Sequence, residues 1–433
     1  MIRIERDGRA VAQAHTAVEE TLVALDRGRH LAMLYRPKAP GARSGVAVIL
    51  MHCDQNYMTL GMGPALAEKG FTVLAANAWI GGEIDRKIEH LGRLVRFVKA
   101  QPGVAKVVLM GHSGGATLMT AYQALAETGV DVFRGEEMIY KCTVREALTP
   151  ADGIMLVDAN YGNGVMSLVS LDPAVVEEGN GMRLDPKWDI FDPKNGYDPA
   201  GAKYSPEFIR AYQSAQSARN MRLIDMALER LGKIEAGEGR FIDDEPFLIA
   251  AADQPKPNNR LLPEDPRLLS HTKGAYDLLR GDGSVTREVI RCVRVAECDH
   301  SMSRQYEGGA NPNTVRGFLS SQALRTRPDF AITEDDVLGV DWRSSYASPI
   351  GNIEHISAPA LFIGLTGSYE YLASELIYNR AAMPDRTIAF VHGADHMFAP
   401  NRRAEKFPGE FGDTEGVLYE AMARWMDRFT SEV

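Results

Sequence analysis

The residues best suited to chemistry in this sequence are a serine and its glycine neighbours, Gly111-His112-Ser113-Gly114-Gly115. An apolar run, VAKVVLM, precedes them, and a helix-like run, ATLMTAYQALAE, follows. A serine between a strand and a helix sits on a tight, strained turn that exposes its hydroxyl, and the glycines allow the two backbones to approach closely. The pattern predicts Ser113 as a nucleophile. The alternatives are an ordinary glycine-rich turn and a phosphate loop, although the Lys-Ser/Thr ending of the latter is missing.

A serine hydroxyl becomes a good nucleophile only when a histidine takes its proton. Among ten histidines, His396 is the best placed, because it follows the strand-like run TIAFV, within GADHMF, and precedes a closing amphipathic helix at 414–431. His392 lies four residues earlier and is the second candidate. We therefore expect His396 to be the base.

The histidine needs a carboxylate that fixes its tautomer and stabilises its charged form. The strand-like run at 360–365 continues as TGSYEYLASE, in which Glu370 is the first carboxylate and Glu375 the second. Glu370 is our candidate acid. Glu375 remains an alternative, as does Asp341, which precedes the strand. A non-catalytic interpretation of Glu370 is that its charge stabilises the N-terminus of the following helix.

Acyl transfer also needs two N–H groups that face the developing oxyanion. The N–H of Gly114, directly after the nucleophile, is expected to be one donor. The turn after the strand-like run 46–51 reads HCDQNYM and should carry the other, from Asp54 or Cys53. We assign Asp54 and expect its carboxylate to point away from the oxyanion.

The elements around these residues predict an α/β architecture. Strand-like runs at 46–51, 71–76, 104–110 and 153–158 alternate with helix-like segments, which indicates βαβ units and a parallel sheet. Residues 161–355 are rich in Pro, Gly, Asp and Asn, and strand-like order returns only after them. We interpret 1–160 and 356–433 as two parts of one core and 161–355 as a cap insertion.

Composition narrows the class of partner. The chain has 433 residues, 45% of them hydrophobic, and 48 basic against 58 acidic residues give a net charge of −10. Without a concentrated basic patch, nucleic acid is not expected as a partner. No signal peptide, membrane span or zinc-like Cys/His cluster is visible, so we expect a cytoplasmic protein without membrane contact, cofactor or metal. A homo-oligomer is left open.

With MHCDQN, GHSGGA, the strand before Glu370 and GADHMF, the chain resembles the α/β-hydrolase superfamily over residues 20–160 and 356–433, most closely its esterase and serine-aminopeptidase-like branch. The resemblance implies a mostly parallel eight-stranded sheet, helices on both faces and a cap inserted after the sixth strand. The chain departs from the usual pattern at Cys53, where glycine is common, and at Glu370, where Asp is common.

The chemistry implied is hydrolysis of a carboxylic ester or lactone of a small to medium organic substrate. Cleavage of an amide or a C–C bond by the same residues is the alternative, and a ligand-binding protein without activity is the non-enzymatic one. Asp299-His300-Ser301 looks like a second triad, but adjacent side chains rarely converge, so we assign it no role.

Overall fold

A ten-stranded sheet organises the protein in the computed structural model, which describes residues 5–6, 9–10, 17–78, 81–252, 259–296 and 309–430. Its strand order is β11-β10-β16-β15-β8-β7-β5-β6-β4-β3. The members are β3 (Val18–Leu25), β4 (His30–Pro37), β5 (Val46–Leu50), β6 (Thr72–Ala76), β7 (Lys106–Ser113), β8 (Gly153–Ala159), β10 (His271–Leu279), β11 (Val285–Arg291), β15 (Ala360–Leu365) and β16 (Arg386–Val391). Smaller antiparallel pairs are β1–β2 (Glu5–Arg6, Arg9–Ala10), β9–β12 (Pro246–Ala250, Ala310–Thr314) and β13–β14 (Thr326–Ile332, Val337–Val340).

Helices cover both faces of the sheet. They are α1 (Met62–Glu68), α2 (Ile84–Lys99), α3 (Gly115–Thr128), α4 (Asn163–Ser170), α5 (Pro206–Glu235), α6 (Leu261–Glu264), α7 (Val315–Ser321), α8 (Pro349–Asn352), α9 (Tyr371–Arg380) and α10 (Thr414–Met426). Apolar side chains of α1 and α10 pack on one face, and those of α2, α3 and α9 pack on the other. Every residue of β5, β6, β8 and β15 is therefore buried, as a strand covered on both sides must be.

The parallel centre of the sheet brings the carboxyl ends of its strands to one edge. β5, β7, β8, β15 and β16 run parallel to their neighbours, whereas β3, β4 and β11 pair antiparallel at the two sides. Loops that follow the parallel strands therefore meet at a common edge, where ligands bind in open α/β sheets.

The prediction of a mostly parallel sheet between helices is confirmed, but the expected strand count of eight is wrong. The two additional strands, β10 and β11, lie inside the segment 161–355 and extend the sheet beyond β16. That segment does follow the sixth strand of the main sheet, β8, and it contains the long helix α5 and the antiparallel pairs β9–β12 and β13–β14. Part of the segment therefore belongs to the main sheet, because β10 pairs with β16 over Asp277–Leu279.

The described helices include none that is both long and apolar enough to cross a bilayer. The triad-like Asp299-His300-Ser301 lies outside the described residues.

The buried histidines predict a stability that falls in acid. His90 on α2 is 1% exposed, and its ring packs against that of His30 at a centroid distance of 4.0 Å. Burial lowers the pKa of His90 to about 3, and it also lowers the pKa of His30. Since the unfolded chain binds protons below its pKa of about 6.5 and the folded chain does not, acid favours unfolding in this range.

We expect each fully neutral buried histidine to cost about 1.4 kcal/mol of unfolding free energy for every pH unit below 6.5. Urea unfolding between pH 7.5 and 4.5 measures this slope. His90→Gln should flatten it below pH 6.5 and leave the slope between pH 7 and 7.5 unchanged, whatever its effect on absolute stability. An identical slope in both proteins at acidic pH would contradict the assignment.

Candidate active site

Ser113 occupies the sharp turn between β7 and α3. Its backbone φ is +54°, in the left-handed region that strains a residue other than glycine. A Cβ on Gly111 would lie 2.7 Å from the Cα of Ala116, and one on Gly115 would lie 2.8 Å from the carbonyl oxygen of Met51. These positions therefore require glycine, and the turn leaves Ser113 partly exposed at the sheet edge, as the sequence predicts.

His396 lies in the loop between β16 and α10, and His112 anchors that loop. The Nε2 of His112 is 2.8 Å from the carbonyl oxygen of His396, and its Nδ1 is 2.6 Å from the hydroxyl of Tyr57. Because the carbonyl can only accept, Nε2 of His112 donates and Nδ1 accepts from Tyr57. The residue before the nucleophile thus positions the loop that carries the histidine.

The carboxylate on His396 Nδ1 belongs to Asp158, which the sequence analysis above does not single out. Asp158 is fully buried near the end of β8, and its Oδ2 lies 2.6 Å from Nδ1. Its Oδ1 accepts the N–H of Leu365 at 3.0 Å, which fixes the carboxylate in place. An aspartate closing the apolar run GIMLV, directly before a polar turn, was the available signal.

Glu370 is in the site but faces the other ring nitrogen. Its Oε2 lies 3.6 Å from Nε2 of His396 and accepts the hydroxyl of Ser113 at 3.4 Å. The expectation that Glu370 is the carboxylate that fixes the tautomer of His396 is therefore corrected, because Asp158 occupies Nδ1. Glu370 follows β15, the neighbour of β8, so both carboxylates reach the same imidazole from adjacent strands.

The remaining sequence candidates lie elsewhere. Both carboxylate oxygens of Glu375 accept backbone N–H groups of β10, from Lys273 and Gly274. His392 contacts Arg280 and the ring of Phe411. The carboxylate of Asp341 accepts the N–H of Arg343 at 3.3 Å.

Asp158, Glu370 and His396 also form an acid–imidazole cluster of the kind that can hold a metal ion, with ligand atoms within 4.8 Å of one another. However, the two carboxylates meet different ring nitrogens, whose lone pairs diverge. In addition, the Oδ2 atom of Asp158 is already engaged in a short hydrogen bond with Nδ1 of His396. The arrangement suits proton transfer better than shared coordination of one ion.

The N–H groups of the two predicted oxyanion donors differ in what they bind. Gly114 caps α3, so its N–H belongs to the free groups of a helix N-terminus beside Ser113. The N–H of Asp54, in contrast, donates to Nδ1 of His52 at 2.9 Å. The N–H of Asp54 is therefore already engaged, which contradicts its assignment as an oxyanion donor. The N–H of Cys53, the alternative in the same turn, takes part in no hydrogen bond within the described residues.

The Asp54 carboxylate is held by groups of its own turn and of α2, and its Oδ2 accepts a hydrogen bond from the thiol of Cys53 at 3.1 Å. Its Oδ1 lies 2.7 Å from Nζ of Lys87, which is 2% exposed, and 3.2 Å from the N–H of Gly81. Burial alone would raise the pKa of Asp54, but the Lys87 ammonium outweighs it and lowers that pKa. This ion pair between a buried lysine and a partly exposed aspartate holds the turn after β5 against α2.

A cavity of about 280 Å³ opens beside His396. Ser368 and Tyr369, from the loop after β15, form part of its wall together with Met397. Pro263 and Arg294 of the inserted segment also line it. The insertion thus helps to shape the space next to the histidine.

Comparisons with known proteins found similarity in the fold but none in the sequence families. No protein-family model and no curated protein matches the chain. Solved structures that it resembles include a hypothetical protein from Pseudomonas aeruginosa (13% identity, 99% of each chain, TM-score 0.43) and a siderophore hydrolase from Aspergillus fumigatus (13%, 96% of this chain and 99% of the other, 0.44). A thermostable carboxyl esterase from Bacillus coagulans is also similar (11%, 96% and 100%, 0.41).

The strand order and the strained serine turn define an α/β-hydrolase fold. In chain order β3 to β8, then β15 and β16, the eight core strands are arranged 1-2-4-3-5-6-7-8 from one edge, and β10 and β11 extend the other.

The two carboxylates can be separated by substitution. Asp158→Asn should lower kcat by about 10⁴-fold, because it removes the charge that holds the imidazole in its working tautomer. Glu370→Gln should cost clearly less, since the acceptor on Nδ1 remains. Glu375→Gln, which alters a carboxylate away from the site, serves as the control and should keep its kcat. Steady-state kinetics in which Glu370→Gln is at least as damaging as Asp158→Asn would return the acid role to Glu370.

Proposed function

We propose that the protein is a serine hydrolase that cleaves a carboxylic ester or lactone through an acyl-enzyme. The observation that carries the proposal is the convergence of Ser113, His396 and Asp158 at one sheet edge, with the serine on a strained turn at a helix N-terminus. An isolated Gly-x-Ser-x-Gly turn would not need a histidine anchored by a fully buried carboxylate.

In the first half-reaction, Oγ of Ser113 attacks the substrate carbonyl while its proton passes to Nε2 of His396. Oγ of Ser113 and Nε2 of His396 share one neighbour, Oε2 of Glu370. The serine hydroxyl therefore lies on the Nε2 side of the ring. Asp158 accepts a hydrogen bond from the N–H at Nδ1 throughout the reaction and stabilises the imidazolium. The N–H groups of Gly114 and Cys53 are the proposed donors to the oxyanion.

The imidazolium then gives its proton to the leaving alkoxide, which completes the first half-reaction and leaves the acyl group on Ser113. The second half-reaction is hydrolysis of this acyl-enzyme. Water then attacks the acyl-enzyme as His396 takes one of its protons, and collapse of the tetrahedral intermediate restores the serine hydroxyl. All groups that the reaction needs belong to the chain, so the proposal includes no cofactor. The small cavity beside His396 supports a small to medium organic substrate.

Labelling by a fluorophosphonate probe tests the nucleophile directly. Wild type should be labelled and Ser113→Ala should not, because the probe reacts with an activated serine hydroxyl. Ser374→Ala, a buried serine on α9, is the matched control and should still be labelled. A wild type that does not react, or a labelled Ser113→Ala, would refute the proposal.

The same proteins tested on p-nitrophenyl esters, lactones, amides and a C–C bond substrate identify the bond that is cleaved. We expect turnover of esters or lactones that is lost in Ser113→Ala. Turnover confined to the amide or to the C–C substrate would replace the ester assignment with that alternative, whereas labelling without any turnover would favour a binding protein.

A further inference from the structure

His52 follows Met51 in the turn after β5 and has no part in the triad described above. It is 8% exposed, and its Nδ1 accepts the N–H of Asp54 at 2.9 Å. An imidazole nitrogen that accepts a hydrogen bond carries no proton, so the hydrogen of the neutral ring must be on Nε2. The turn itself therefore selects the tautomer of His52.

The ring is also neutral at physiological pH. Burial lowers the pKa of His52 to about 4, and the nearby charges of His396 and Lys87 act in the same direction, whereas Asp54 opposes them. His52 consequently presents an uncharged N–H donor. Such a group can stabilise negative charge without surrendering its proton, since a neutral imidazole is a very weak acid.

The position of that donor is the important observation. A Cβ built on Gly114 would lie 3.0 Å from Nε2 of His52 and 3.1 Å from Cε1, so this edge of the ring faces the residue after the nucleophile. Nε2 has no hydrogen-bond partner in the described part of the chain, and it is not among the polar atoms sealed from solvent. The N–H on Nε2 therefore makes no hydrogen bond within the described residues, and the ring edge that carries it lies against Gly114, the residue whose N–H is the other proposed donor at this point.

We propose that the Nε2–H of His52 is a third donor of the oxyanion hole, alongside the backbone N–H groups of Gly114 and Cys53. The proposal rests on the proposed function, because it concerns the oxyanion formed when Ser113 attacks a carbonyl. It assigns a catalytic residue that neither the Ser–His–Asp pattern nor the glycine-rich turn identifies.

The surroundings of His52 hold it in this orientation. The ring of Tyr57 lies against it at a centroid distance of 5.2 Å, and the Tyr57 hydroxyl continues to His112. On the other side, the Asp54–Lys87 pair fixes the turn that supplies the N–H to Nδ1. A donor restrained from both sides needs little reorganisation when charge develops, which is the condition for effective oxyanion stabilisation.

Two substitutions separate the catalytic role from a structural one. His52→Asn can place its side-chain oxygen near the position of Nδ1 and keep an acceptor for Asp54, but it does not reach the position of Nε2. His52→Gln can place its amide N–H near Nε2, but it lacks the acceptor at Nδ1. A catalytic donor predicts that Asn is the more damaging substitution for turnover, and a purely structural histidine predicts the reverse.

The experiment compares wild type, H52N and H52Q in ester hydrolysis and in inhibition by a trifluoromethyl ketone, which forms a tetrahedral oxyanion adduct with the serine. For H52N we expect kcat to fall by about 10²–10³-fold with KM changed less than threefold, and the ketone inhibition constant to rise in parallel. H52Q should retain at least a tenth of the wild-type kcat. Thermal unfolding of both variants provides the structural readout.

The proposal is overturned if H52N keeps kcat within threefold of wild type, or if its kcat falls while the ketone binds as before. It is also overturned if H52Q loses more activity than H52N. Fluorophosphonate labelling of wild type distinguishes this failure from that of the proposed function: an unlabelled wild type refutes both proposals, whereas a labelled, active wild type with a fully active H52N refutes only the role of His52.

Discussion

Three chain segments pack against one another at Ser113 so closely that only one backbone conformation fits there. The rest of the site depends on this close packing. The end of β7, the start of α3 and the end of β5 approach to distances that exclude a Cβ at Gly111 and Gly115. Ser113 is held at φ +54° as a result. A left-handed residue other than glycine costs about 1–2 kcal/mol, which the buried strands on either side must offset. The same strain appears at Asp158 (φ +40°) and at Phe398 (φ +79°), close to His396.

The parallel sheet explains why these strained residues are neighbours. β7, β8, β15 and β16 are adjacent and parallel, so the segments after them emerge at one edge with Ser113, Asp158, Glu370 and His396. The imidazole is therefore approached by a carboxylate from each of two adjacent strands. Asp158 has the shorter contact and a second anchor on Leu365, whereas Glu370 shares its oxygen between the serine and the ring. The geometry thus separates a fixed acceptor on Nδ1 from a carboxylate beside the reacting proton.

How far the sequence predicts this site depends on how local each signal is. Ser113 and His396 are predictable because a glycine-rich turn and a late histidine before the closing helix are local patterns. The acid is not, because Asp158 lies near the end of β8 and Glu370 in the loop after the adjacent strand β15, and only side-chain direction decides which one meets Nδ1.

Two further differences have the same origin in contacts that sequence spacing does not reveal. The N–H of Asp54 was expected to face the oxyanion, but the ring of His52 captures it within the turn. β10 was assigned to the cap, because it lies within residues 161–355, which are rich in Pro, Gly, Asp and Asn. Its place in the sheet depends on pairing with β16, more than 100 residues later in the chain. The prediction of the fold class is correct despite these errors, because it depends on the central apolar strands.

The origins of the site residues suggest that chemistry and specificity are carried by different parts of the chain. The proposed nucleophile, base, acid and donors all lie at or after the carboxyl ends of core strands, and the turn after β5 is tied to α2 by the ion pair of Asp54 with the buried Lys87. Burying an ammonium group costs several kcal/mol unless a partner compensates, so this pair is strongly constrained. Pro263 and Arg294, by contrast, bring the inserted segment to the cavity wall without contributing to the triad. Substitutions in that wall can therefore alter which substrates fit while the strained turn and its hydrogen bonds remain intact.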